Sequence, residues 1–329
     1  MSSDRVTHHL GRGNPTHKCL ASARLALGIL SLGALPVTAV PVDGTLDPGY
    51  GTAISTQTNA ADVGFPDASL GLVGGSNGSE LDLAYGFISD GTLHLLLAGN
   101  LVCQGNPVDY GLFTHNLYLF IDTRPGGQNR LRADNADLDY GELDRMAGLT
   151  FDTGFEPDYW LACRGSLANY YDPMSRYTLY AWGAELLTGG AGGGALLGTT
   201  GAGGPGTLSG GTNPDGIQVT IDNRNTAGVT AGCGPASGAG ATTGIEWAIP
   251  LAAIGNPTGC VRVCAVLANA SGSGLFNQVL PPLPVGTCAL GAPAGVDFNG
   301  HAGEQFFTVC DPNVPARTSS WGKLKTLYR

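Results

Sequence analysis

The densest group of chemistry-bearing side chains runs from Asp134 to Asp144, where Asp134, Asp137, Asp139 and Asp144 place carboxylates at short intervals around Gly141. Alternating carboxylates with a glycine can wrap an oxygen-seeking cation such as Ca²⁺. Asp122, at the end of an apolar stretch, is placed to close such a site. The pattern is not an EF-hand loop, because the glycine falls one position late and the terminal bidentate Glu is missing. A solvated acidic turn is the competing reading. A second group is aromatic: Trp160, Tyr180 and Trp182, with Tyr170 and Tyr171 between them. Flat rings with a polar edge suit the faces of sugar rings, and the competing role is to cover a loop with aromatic bulk.

Two motifs point to chemistry that their context opposes. Gly74-Gly75-Ser76-Asn77-Gly78 fits the GxSxG nucleophile elbow, which must join a strand to a helix, yet a strand-like segment follows it. Gly201 to Gly206 fits GxGxxG, but that fingerprint works where the glycines open a helix that holds a phosphate, and Pro205 with Gly210-Gly211 opposes a helix there. Beyond residue 39 only His94, His115 and His301 could act as a base. No spacing selects a carboxylate pair for glycoside hydrolysis, so the chain reads as non-catalytic.

These groups must be held by strands. Glycine is 53 of 329 residues and charged residues are only 13%, a composition poor in helix formers and rich in turn formers. Apolar residues alternate with period two at Leu81 to Phe87 and Leu93 to Leu97, which flank a turn at Ser89-Asp90-Gly91 and predict a hairpin. The same beat recurs at Leu117 to Ile121, Tyr159 to Cys163, Tyr177 to Ala181, Ile217 to Ile221, Ile245 to Ile249 and Val261 to Leu267, with Gln305 to Cys310 last. Trp160, Tyr180 and Trp182 fall on the alternate face of their strands, which makes them the expected ligand contacts. Tyr140 to Met146 and Pro250 to Ile254 are the only helix-like stretches, the second at most one turn closed by Gly255. The expected fold is all-β: an antiparallel β-sandwich with long Gly-rich loops and no interposed helices.

Arg5, Arg12, Lys18 and Arg24 precede an apolar run from Leu25 to Leu35, and small residues at Val37-Thr38-Ala39 suit cleavage, so residues 1–39 read as a signal peptide. An uncleaved anchor is the alternative. Residues 40–312 read as a single sandwich domain with residues 189–211 as a flexible Gly-rich loop within it, and 313–329 as a basic tail for sorting or docking. No later stretch has the roughly 20 apolar residues of a transmembrane helix. The whole chain carries a net charge of −10 and its first 39 residues are basic, so the remainder is more acidic still. Such a surface repels nucleic acid and favours cations or neutral polymers.

Cys19 leaves with the leader, and seven cysteines remain: Cys103, Cys163, Cys233, Cys260, Cys264, Cys288 and Cys310. An exported address permits disulfides. Cys260 and Cys264 cannot pair on one strand, since four residues span roughly 13 Å. The odd count leaves one thiol unpaired, or engaged with a second chain in self-association.

Three segments resemble the secreted carbohydrate-binding modules of family nine and their DOMON-like relatives: Val42-Asp43-Gly44-Thr45-Leu46-Asp47, Gly91-Thr92-Leu93-His94-Leu95-Leu96-Leu97, and Ile245-Glu246-Trp247-Ala248-Ile249-Pro250-Leu251. The resemblance implies a jelly-roll-like fold, bound Ca²⁺ and recognition of a polysaccharide or cell-surface glycan. The expectation is thus a secreted or envelope-associated, non-catalytic binding module. A self-assembling matrix protein is the alternative, and a glycoside hydrolase the third reading.

Overall fold

Each apolar stripe read from the sequence lies on or against a strand. The computed structural model describes residues 40–64, 67–68, 76–103, 114–138, 142–165, 177–201 and 205–312. Residues 1–39, expected to be a signal peptide, and 313–329, expected to be a basic tail, lie outside them. The strands are β1 (Ser55–Thr56), β2 (Glu80–Ser89), β3 (Thr92–Asn100), β4 (His115–Asp122), β5 (Tyr159–Gly165), β6 (Leu179–Glu185), β7 (Gly194–Thr199), β8 (Ser209–Gly210), β9 (Gln218–Ile221), β10 (Gly244–Pro250), β11 (Cys260–Asn269), β12 (Leu275–Leu280) and β13 (Phe307–Cys310). One sheet has the order β1-β2-β3-β10-β9, and the other β12-β11-β4-β5-β6-β7-β8, with β13 also on β11. All strand pairs are antiparallel. No α-helix occurs among the described residues, and Leu251–Ile254 is a 3₁₀ turn closed by Gly255 in the left-handed conformation.

The predicted stripes meet between the sheets. Leu93, Leu95, Leu97, Ile245, Trp247 and Ile249 from one sheet pack on Leu117, Leu119, Ile121, Val261, Val263 and Leu267 of the other. Burial of these apolar faces is the main force holding the two layers together.

The alternate face that carries Trp160, Tyr180 and Trp182, expected to meet a ligand, is not open to one. The outer side of the larger sheet is covered by a third layer, in which Leu131, Leu143, Met146, Leu149, Phe151, Phe155, Leu283 and Phe298 bury Tyr118, Phe120, Trp160 and Trp182. Tyr50, Leu83, Tyr85, Leu96, Ala98 and Ala241 form a smaller cluster over the outer side of the five-stranded sheet. All eight residues of β4 are buried, as happens when a strand has protein on both sides.

Two local expectations also change. β2 has a register shift between Leu81 and Leu83, so Leu81 faces the space between the sheets while Leu83 and Tyr85 turn outward. A bulge reverses the beat for every residue after it. The segment 189–211, expected to be a flexible loop, contains β7 and β8, which extend the edge of the larger sheet. Leu196 packs on the covering-layer side and Leu197 on the inter-sheet core, which anchors a strand whose ends are glycine-rich.

The chain's opening is pinned to β10. Glu246, at 0% exposure, accepts hydrogen bonds from the backbone N–H groups of Asp43 and Gly44, each at 2.7 Å, and from the Tyr50 hydroxyl at 2.8 Å. Gly44 has φ +82° and lies against the Asp222 backbone, where a Cβ would come within 2.6 Å of the amide nitrogen. Only glycine fits there. The stretch from Asp43 to Tyr50 and β10 are therefore held together by one buried carboxylate.

Candidate functional site

Four neighbouring strands end in a row of polar side chains. Arg262 of β11 lies opposite Asp122 of β4, Ile121 of β4 opposite Tyr159 of β5, and Tyr159 opposite Glu185 of β6. Just past β4 the chain turns, because the Asp158 carboxylate accepts from the backbone N–H of Thr123 at 2.9 Å and of Arg124 at 3.0 Å. This row borders a cavity of about 400 Å³ lined by Asp122, Thr123, Arg124, Pro125, Gly154, Glu156, Cys260 and Arg262.

Both arginines are partly exposed and firmly held. Arg262 pairs with Asp122 at 2.6 Å, donates to the Gly154 carbonyl and lies over the Phe306 ring at 5.6 Å from its centre. Arg124 pairs with Glu185 at 2.7 Å, donates to the Tyr159 hydroxyl at 3.0 Å and lies over that ring at 5.3 Å. Guanidinium groups locked by carboxylates and stacked on rings present fixed donors at low entropic cost. Burial raises the Asp122 carboxyl above its ordinary value, while the Glu156 backbone N–H and Arg262 pull it the other way. Cys260 lines the cavity as half of the Cys260–Cys310 disulfide, a cross-strand pair that ties β13 to β11. The site is a set of hydrogen-bond donors and acceptors, with the Tyr159 and Phe306 rings backing its two arginines.

The sequence-derived sites fare differently. Trp160 and Trp182, expected to face a ligand, are buried at 0% and 3% exposure under the covering layer, and Tyr180 is half-buried beside Trp182 at 5.7 Å between ring centres. They are core because their strands have protein on both sides. Tyr170 and Tyr171 lie outside the described residues.

The acidic turn does not assemble either. Asp134 is taken by Arg132 in a two-bond pair at 2.6 Å, Asp137 is exposed, Asp144 opens a 3₁₀ turn, and Asp122 sits at the cavity bound to Arg262. Asp139 lies outside the described residues. The apolar residues of the same segment explain its actual role: Leu131, Leu138, Leu143, Met146 and Leu149 turn toward the sheet and make it a lid on the core.

Cys233–Cys288 is the second disulfide. Asp62 lies beside it, the one cluster of three His, Cys, Asp or Glu side chains among the described residues, but bridged sulfurs carry no thiolate charge for a metal. Cys103, Cys163 and Cys264 belong to neither bridge and are all at 0% exposure. The expected self-association through an unbridged thiol is therefore corrected: these sulfurs are core atoms that a second chain cannot reach. Ser76 of the GxSxG match is fully buried, donates to the Gly78 carbonyl and is followed by β2, so it sits on no strand-to-helix corner.

Sequence reasoning missed Arg124, Arg262, Thr123 and Glu156. The only signal was polar residues at the ends of two predicted stripes, Asp122-Thr123-Arg124 and Arg262, and strand pairing was needed to join them. No protein-family model, curated protein or solved structure matches this chain.

Proposed function

We propose that the chain is an exported, non-catalytic module that binds a neutral, hydroxyl-rich polymer such as a polysaccharide in the cavity between Arg124 and Arg262. The observation that carries this reading is the pair of guanidinium groups, each held by a carboxylate and stacked on a ring at the rim of one cavity. Neighbouring hydroxyls of a sugar take paired hydrogen bonds from such donors and give them to adjacent carboxylates, and a net-negative body suits an uncharged ligand. Two disulfides support an oxidising location. No helix of the described residues is long and apolar enough to cross a membrane. The three segments similar to family-nine carbohydrate-binding modules agree with this ligand class.

The purified chain, pelleted with a panel of insoluble glycans, is expected to be retained on at least one. Arg124→Ala and Arg262→Gln are each expected to weaken that retention tenfold or more, as loss of a fixed charge at the centre of a site costs about 1.4 kcal/mol or more. Absence of retention on every glycan, or retention unchanged in both variants, rejects the reading.

A second reading has one observation in its favour: Asp122 and Glu156 are two carboxylates in the same cavity. Paired carboxylates are the machinery of glycoside hydrolysis. Asp122 is raised by burial, with Arg262 and the Glu156 backbone N–H at 2.9 Å pulling the other way, and both its carboxylate contacts are already taken up in holding the cavity wall. Release of reducing ends from the retained glycan, abolished by Asp122→Asn, would replace the binding reading with this one.

A further inference from the structure

Two carboxyl groups at the start of β2 are buried with no positive partner among the described residues. Glu80 and Asp82 are each 2% exposed, and neither forms an ion pair with a described residue. Asp82 is the extra residue of the bulge between Leu81 and Leu83. The Asn225 side-chain amide donates to Asp82 Oδ2 at 2.7 Å and to Glu80 Oε1 at 3.2 Å, and Asn100 donates to Glu80 Oε1 at 2.6 Å. Those three bonds leave two fully buried oxygens unpaired, Glu80 Oε2 and Asn100 Oδ1. A buried acceptor without a donor is costly, and a buried carboxylate without a counter-charge more so.

The groups closing over this pair supply more oxygen. Asn225 contributes its backbone carbonyl, which already accepts from Asn100 at 3.0 Å, and the Ala227 carbonyl accepts from the Asn225 amide at 2.7 Å. Gly228 passes so close that a Cβ there would lie 2.0 Å from Asp82 Oδ1. The cluster contains no sulfur and no imidazole. A set of oxygen donors carrying two formal negative charges suits a hard divalent cation.

We propose that Glu80, Asp82 and Asn100 form a site for one Ca²⁺, roofed by the segment from Asn225 to Gly228. This site is separate from the acidic turn at Asp134 to Asp144 and from the Arg124–Arg262 cavity, so it stands or falls independently of the glycan reading.

The test is calorimetric titration of CaCl₂ into the EDTA-treated, dialysed full chain at pH 8, together with thermal unfolding. One ion per chain is expected, with a midpoint raised by roughly 5 °C at hundredfold excess over Kd. The Glu80→Gln/Asp82→Asn double variant keeps the side-chain shapes without the two charges, so it should fold like the ion-free chain and lose both the ion and the thermal shift. Asp134→Asn/Asp137→Asn should keep both. A folded chain that binds no Ca²⁺, or one ion kept by the first variant or lost by the second, overturns the proposal.

Discussion

Replacing Trp160 with alanine lowers the unfolding free energy by about 3–5 kcal/mol, the cost of deleting a fully buried large aromatic side chain and leaving part of its volume unfilled. Trp160 is at 0% exposure, 5.6 Å from the Tyr118 ring centre, and shares a cluster with Phe120, Phe151 and Phe298. Its indole N–H is buried without a partner, so Trp160→Phe gives up volume but no hydrogen bond and should cost distinctly less. Urea unfolding of the three proteins gives the comparison. Wild-type stability in Trp160→Ala, together with lost glycan retention, would make Trp160 a ligand contact and remove the covering layer from the account.

In the presence of a chelator, stability falls as pH rises from about 6.5 to about 8, by on the order of 3 kcal/mol. Glu80 and Asp82 hold their protons up to about 9 and about 8 in the folded chain, whereas the unfolded chain releases them near the ordinary carboxylate values of 4.5 and 3.8. Between those limits the folded state binds more protons, so raising the pH favours unfolding. Glu246, raised by burial to about 7, acts in the same direction at the lower end of the range. His115 acts oppositely but lower down: burial depresses it to about 4, and its destabilising effect is gone once the unfolded imidazole is neutral above about 6.5. Chemical unfolding at pH 6.5 and 8 measures the fall, and Glu80→Gln/Asp82→Asn should remove most of it. A rise in stability over that interval would contradict the uncompensated burial of the pair.

Architecture was legible in the sequence because period-two stripes fix which residues share a face. Leu93, Leu95 and Leu97, and Ile245, Trp247 and Ile249, lie between the sheets as the alternation requires. The covering layer was harder to see. Tyr118, Phe120, Trp160, Ala162, Trp182 and Val266 are apolar at the alternate positions of the same strands, and apolar residues on both faces mark a strand enclosed on both sides. Reading Trp160 and Trp182 as ligand contacts mistook the second core for a surface. The bulge at Asp82 left no mark in the sequence, because its effect appears only when β2 is aligned with β3. The candidate site was largely illegible for a related reason. Arg124 and Arg262 are 138 positions apart, and only the pairing of β11 with β4 and the turn held by Asp158 bring them to one cavity. Within the acidic turn, the leucines between the carboxylates carried more structural information than the carboxylates did.

Amide chemical-shift mapping with a soluble oligosaccharide of the retained glycan is the most direct measurement of where the ligand sits. The largest changes are predicted at Thr123, Arg124, Gly154 and Arg262, with little change around Trp182 and Glu80. Saturable changes centred anywhere else on the molecule would contradict the assignment of the cavity.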